Sequence, residues 1–118
     1  MENERTVIEA FIKAGDNRDI AALENILHTN FQNIQDGFFE ERGIFVLSKS
    51  DYIDLIRTEK FGGSPRNIVF KSIKQTGNLA TAQVELESQY LIFHSLIVCV
   101  KEYGQWKIIN NIPSIEMK

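Results

Sequence analysis

A chain of 118 residues with 43% apolar side chains can bury one core, which excludes disorder along its whole length and predicts a single domain over residues 1–118. The 13 Lys and Arg against 16 Asp and Glu leave a net charge of −3 with no basic stripe, so nucleic-acid binding has no electrostatic support. Cys99 is the one cysteine and there are 2 histidines, a set that makes no internal disulfide and no four-ligand zinc site, and no cofactor is implied.

The opening Met1-Glu2-Asn3-Glu4-Arg5 is charged and runs straight into a helical pattern, unlike a signal peptide. The longest nearly apolar run, Leu91 to Val100, is too short to span a bilayer, so a cytoplasmic protein without membrane contact is expected. Residues 3–14 are predicted helical, because Val7, Ile8, Phe11, Ile12 and Ala14 share one face, and Gly15 is expected to end that helix. Asp19 is placed to cap a second helix carrying Ile20, Leu23, Ile26 and Leu27. Thr29-Asn30 breaks the pattern, a short strand is expected over 31–36, and Asp36-Gly37 reads as a turn.

The stretch 38–47 is open between strand and loop. Its end, Ile44 to Leu47, has strand character, and Gly43 permits a bulge. Ser48 can cap the Asp51 N–H and open a third helix whose buried face is Tyr52, Ile53, Leu55 and Ile56, stopped by Gly62-Gly63-Ser64-Pro65. A strand over 67–75, a turn at Gly77-Asn78 and a long strand from Leu79 follow. In the long strand Ala80, Ala82, Val84 and Leu86 alternate with Thr81, Gln83, Glu85 and Glu87. No Gly or Pro marks the corner between Glu87 and Ile92, which leaves the facing of Ser88 and Tyr90 open.

Ile92 to Ile112 forms the closing hairpin, turning at Tyr103-Gly104-Gln105 and apolar on both faces. Counting back from Val100 puts Val98, Leu96 and His94 inside with Trp106, Ile108 and Asn110. Phe93, Ile97, Cys99 and Ile109 then form an outer patch suited to a twofold interface with a second copy. Helices followed by antiparallel strands imply an α+β fold: a cone-shaped roll with three helices across the concave face of a curved, mainly antiparallel sheet.

The order of these motifs resembles the nuclear-transport-factor-2-like superfamily, in particular its SnoaL-like and putative lumazine-binding branches. The resemblance rests on Gly15-Asp16 between the first two helices, Leu27-His28-Thr29-Asn30-Phe31 before the first strand, and Ser48-Lys49-Ser50-Asp51-Tyr52-Ile53 at the third helix. It continues through Gly77-Asn78-Leu79-Ala80-Thr81-Ala82 and Tyr103-Gly104-Gln105-Trp106-Lys107-Ile108-Ile109. It implies a homodimer through the convex sheet face and a pocket inside each cone. It implies no single activity.

The pocket is expected to take a small apolar or heterocyclic ligand. His94 is a candidate to orient it or act as a base, or else is a solvated strand-end histidine. Asn110 is an inward amide that needs a ligand, water or backbone partner. Tyr52 and Tyr90 can offer hydroxyls at the rim or simply pack their rings, and Trp106 is a core residue first. Asp36 is the other candidate base, although its place before Gly37 suits a turn better. Three readings stand: a binding domain, a SnoaL-like isomerase or hydrolyase using His94 or Asp36, and a non-catalytic interaction module.

Overall fold

The computed structural model describes residues 3–38 and 40–118. Met1, Glu2 and Phe39, the last within the stretch that the sequence leaves open, lie outside the described residues. Helix α1 (Glu4–Asp16) starts where the Asn3 side-chain oxygen accepts from the Thr6 N–H at 2.9 Å. It runs through Gly15 rather than stopping there, because that glycine is a contact point. Its carbonyl accepts from the Gly63 N–H at 3.2 Å, and a Cβ on it would sit 3.3 Å from Arg66 Nη2. Helix α2 (Ile20–Ile26) has the expected Asp19 cap, accepting from Ala22 N–H at 3.1 Å. Helix α3 (Lys49–Arg57) opens with the reciprocal Ser48–Asp51 capping box, both bonds at 3.2 Å.

Six strands, β1 (Leu27–Phe38), β2 (Glu41–Ser48), β3 (Asn67–Thr76), β4 (Leu79–Glu87), β5 (Leu91–Glu102) and β6 (Gln105–Met117), make one sheet in the order β2-β1-β6-β5-β4-β3. All neighbours are antiparallel except β1 and β6. That parallel pair explains why β1 begins before the expected residue 31. Leu27 already registers with Ile108, and Thr29-Asn30 falls where the register shifts before Gln32 meets Asn110. Helix α1 packs over β6 and α3 over β1. Their apolar faces meet the concave side of the sheet in a core that includes Ile8, Phe11, Leu23, Phe31, Ile53 and Ile108.

The closing hairpin corrects the expected faces. Ile97 and Cys99 are each 0% exposed and Ser95 is buried, whereas His94 and Leu96 are exposed. The cause is the turn. It has two residues, Tyr103 and Gly104, both in the left-handed region at φ 51° and 76°, and it pairs Glu102 with Gln105 and Lys101 with Trp106. Trp106 is buried, so the odd-numbered residues of β5 share its face. A three-residue turn would shift the pairing by one and reverse every side chain.

A second correction lies in β6. Cys99 pairs with Ile108 but Val98 pairs with Asn110, so Ile109 is the extra residue of a bulge. Beyond it Asn111, not Asn110, takes the inward position and is buried. Phe93, Ile97 and Cys99 therefore belong to the interior, and Ile109 is a half-buried bulge residue. None of the four forms the expected outer patch. The convex face instead carries Ile34, Val46, Leu96, Val98 and Ile112.

Candidate functional site

A cavity of about 600 Å³ opens between α1, α3, the loop 60–66 and the strand ends of β1, β4, β5 and β6. Its walls are largely apolar, formed by Phe11, Ile12, Ile56, Leu86, Phe93 and Pro113. The size and lining suit a small organic molecule.

The polar groups of the cavity come from strand alternation. In β1 the inward series is Phe31, Asn33 and Gln35, all buried. Asn111 brings a third amide from β6, beside Asn33 in the parallel register. The amides bond in a row: Asn111 Nδ2 donates to Asn33 Oδ1 at 2.8 Å, Asn33 Nδ2 to Gln35 Oε1 at 2.7 Å, and Gln35 Nε2 to the Gly37 carbonyl at 3.0 Å. Such groups are usually bonded when buried; among the described residues Asn111 Oδ1, at the end of the row, and Asn110 Oδ1 beside it in β6 have no hydrogen-bond partner.

Arg66, which also lines the cavity, is held in an ion pair. Arg66 Nε donates to Asp16 Oδ1 at 2.6 Å and its backbone N–H to Asp16 Oδ2 at 3.1 Å, with both side chains mostly buried. The guanidinium lies 4.9 Å from the centre of the Phe93 ring. Tyr52 packs edge-on against Phe31 with ring centres 5.3 Å apart. Burial pushes its phenol from 10.0 up to about 12, with Arg66 pulling the other way and Asp16 adding to the rise.

Of the candidates from the sequence, Tyr52 lines the cavity from its buried position and Tyr90 lines it while largely exposed. Asp36 touches only the rim and is exposed, in the opposite phase to Gln35. Trp106 is buried in the core below the cavity and does not line it. His94 is on the convex side, with Nε2 3.3 Å from Glu116 Oε1 and Nδ1 4.0 Å from Glu85 Oε2. Asn110 shares the convex register of Val98. The two-residue turn and the bulge remove both from the cavity.

Sequence reasoning missed Asn33, Gln35, Ser95, Asn111 and the Asp16–Arg66 pair. A signal existed for two of them, since Phe31 fixes the inward phase of β1 and so places Asn33 and Gln35 inside. The ion pair joins residues 50 apart in the chain, and no local pattern announces it. Among the described residues no group of three or more His, Cys, Asp or Glu is placed to hold a metal, and no helix is long and apolar enough to cross a membrane.

A curved mixed sheet roofed by three helices, with a cavity in its hollow, defines a protein of the nuclear-transport-factor-2-like fold. The chain belongs to the family described as "Putative lumazine-binding", whose model matches residues 2–112. Solved structures agree on the fold. A nuclear-transport-factor-2-like protein of unknown function from Silicibacter pomeroyi is similar at 18% identity and TM-score 0.81, covering 95% of this chain and 92% of that one. Another, from Shewanella baltica, is similar at 15% identity and TM-score 0.78, covering 93% and 88%. A ketosteroid isomerase-like protein from Erwinia carotovora atroseptica is similar at 14% identity and TM-score 0.73, covering 94% and 92%. No functionally curated protein matches the chain in sequence.

Proposed function

We propose that the chain is a binding domain that encloses a small, flat, mainly apolar molecule in its cone. The observation that carries this reading is an apolar cavity of about 600 Å³ with a row of bonded, buried amides along one wall. The name of the family points to a flat nitrogen heterocycle, which would suit such walls. A screen of pteridines, other planar heterocycles and steroids by thermal shift tests it. A ligand at a hundred times its Kd stabilises a fold by about 2.7 kcal/mol, enough to raise Tm measurably. A complex must then place the compound against Phe93 and Asn111. If nothing raises Tm and the wild-type crystal structure has its cavity closed by its own side chains, the interaction-module reading replaces this one.

An isomerase or hydrolyase reading is not favoured. A base for proton abstraction must sit in the cavity within reach of the substrate. His94 is on the convex face, Asp36 is solvated at the rim, and Asp16 is engaged twice by Arg66. The Tyr52 phenol, pushed up to about 12, gives up its proton too reluctantly.

The same proposal includes a homodimer through the convex face. Val46 pairs with Ile34 and Ile112 with Leu96, while Asn33 against Asn111 sets Ile34 beside Ile112. Four neighbouring strands thus present a continuous apolar row, with Val46 52% exposed. An isologous contact would cover that row with its own copy.

A further inference from the structure

Arg66 is held at one end of its guanidinium and open at the other. Its Nε and its backbone N–H both go to Asp16, at 2.6 and 3.1 Å, so each carboxylate oxygen is engaged. A guanidinium carries five N–H groups, four of them on Nη1 and Nη2. Nη2 meets the Ile12 carbonyl at a long 3.5 Å, and Nη1 donates to nothing among the described residues. The side chain lines the cavity and is 15% exposed. The Tyr52 hydroxyl is a second open donor on the same cavity, with no hydrogen bond among the described residues. Neither donor is sealed, since the sealed and unpartnered polar atoms are Asn110 Oδ1 and Asn111 Oδ1. Gly15 leaves the two donors facing one space: a Cβ there would lie 3.3 Å from Arg66 Nη2 and 4.0 Å from the Tyr52 oxygen. Alanine would suit the helix better at that position.

We propose that the cavity binds a flat aromatic carboxylate, whose oxygens accept from the Nη1 and Nη2 edge of Arg66 and from the Tyr52 hydroxyl. The inference rests on reading the cavity as a ligand site and adds the ligand's charged group. The donors gathered here have no acceptor left to meet, because Asp16 is used up. A planar fork matches two coplanar oxygens, which a ketone or an amide does not have. Arg66 and Lys60 outnumber Asp36 among the charged groups of the lining, and Asp36 is at the solvated rim, so a cation is poorly met. The Asp16 charge weakens the attraction but fixes the guanidinium, so the fork is oriented before a ligand arrives. Phe93, with its ring centre 4.9 Å from the guanidinium, continues the apolar wall for the ring that bears the carboxylate. Burial pushes the Tyr52 phenol up to about 12, which keeps it a donor throughout the neutral range.

A matched pair tests it: 2-naphthoate and 2-naphthamide, titrated calorimetrically into the full chain at pH 7. The acid should bind at least about tenfold more tightly, the usual effect of one hydrogen bond to a charged group. Asp16→Asn with Arg66→Gln removes both charges together, which a fold tolerates better than the loss of one. That double variant should bring the ratio to about twofold or less and leave naphthamide within about twofold of its wild-type affinity. A purely structural ion pair would weaken both probes alike and keep the ratio. Tyr52→Phe should weaken naphthoate about fivefold and naphthamide less, because a bond to a charged oxygen is roughly twice as strong.

If the double variant does not fold, Tyr52→Phe and a crystal structure of the wild type with naphthoate decide. The carboxylate must lie within hydrogen-bond reach of Nη1 or Nη2. A carboxylate seated on Lys60 at the mouth, or a preference that survives the double variant, overturns the assignment. Equal binding of acid and amide overturns it too, while leaving the cavity reading in place. Failure of both probes to bind removes the aromatic carboxylate class, and the wider thermal-shift screen then judges the cavity separately.

Discussion

Tyr52 and Cys99 hold their protons inside an apolar core, and each pays for this as the pH rises. Burial pushes the Tyr52 phenol from 10.0 to about 12. Burial, with the Glu4 carboxylate adding to it, pushes the Cys99 thiol from 9.0 to about 12. Both folded-state values lie above the unfolded ones, so the native state keeps the proton that the unfolded chain gives up. The associated stability is complete below pH 9 for the thiol and below pH 10 for the phenol, and is lost as the pH climbs towards 12. For Tyr52 the loss is on the order of 2–3 kcal/mol. Tyr52→Phe should therefore flatten the fall of unfolding free energy between pH 10 and 12, measured by urea denaturation at stepped pH. An unchanged slope would mean that the phenol is solvated. The position of Cys99 shows the limits of sequence at this scale. A buried cysteine and one on an interface read alike, and only the strand phase separates them.

That phase was decided by two short irregularities between elements that were themselves legible. The helix caps at Asp19 and Ser48 and the alternation of β4 could be read directly, because each is a local signal: a hydroxyl or carboxylate before an apolar period, or an apolar residue at every second position. The faces of β5 depended on whether its turn had two residues or three, and those of outer β6 on one unpaired residue, Ile109. Neither leaves a compositional trace. The turn nonetheless makes a prediction. Tyr103 is fully exposed yet held at φ 51°, with Gly104 following at 76°. A left-handed backbone costs an ordinary L-residue about 1–2 kcal/mol, and asparagine tolerates it better. Asn-Gly is also the pair that two-residue hairpin turns favour. Tyr103→Asn should thus raise stability by roughly 0.5–1 kcal/mol in chemical denaturation. A loss of stability would argue for a longer loop, and with it for the opposite faces on β5.

At the level of the whole molecule, the sheet has an inside that is closed and an outside that is not. The helices cover Ile97, Cys99 and Ile108, but among the described residues no element covers the row Val46, Ile34, Ile112 and Leu96. The sequence predicts an apolar convex face built from Phe93, Ile97, Cys99 and Ile109, and the structure builds it from other residues, because the hairpin is apolar on both sides and only its register tells them apart. The corrected face changes which substitution separates assembly from folding. Ile97→Glu would place a charge in the core and unfold the chain. Leu96→Glu places it on the convex face, paired across β5 and β6 with Ile112, where an isolated protomer can solvate it. The wild type is expected to sediment as a dimer at tens of micromolar, a rough working range for a contact of standard size. Leu96→Glu is expected to sediment as a monomer with an unchanged circular dichroism spectrum. Its own Tm should fall only by the part of stability that association supplies. A monomeric wild type would refute the dimer while leaving the cavity untouched, since the two occupy opposite faces of one sheet.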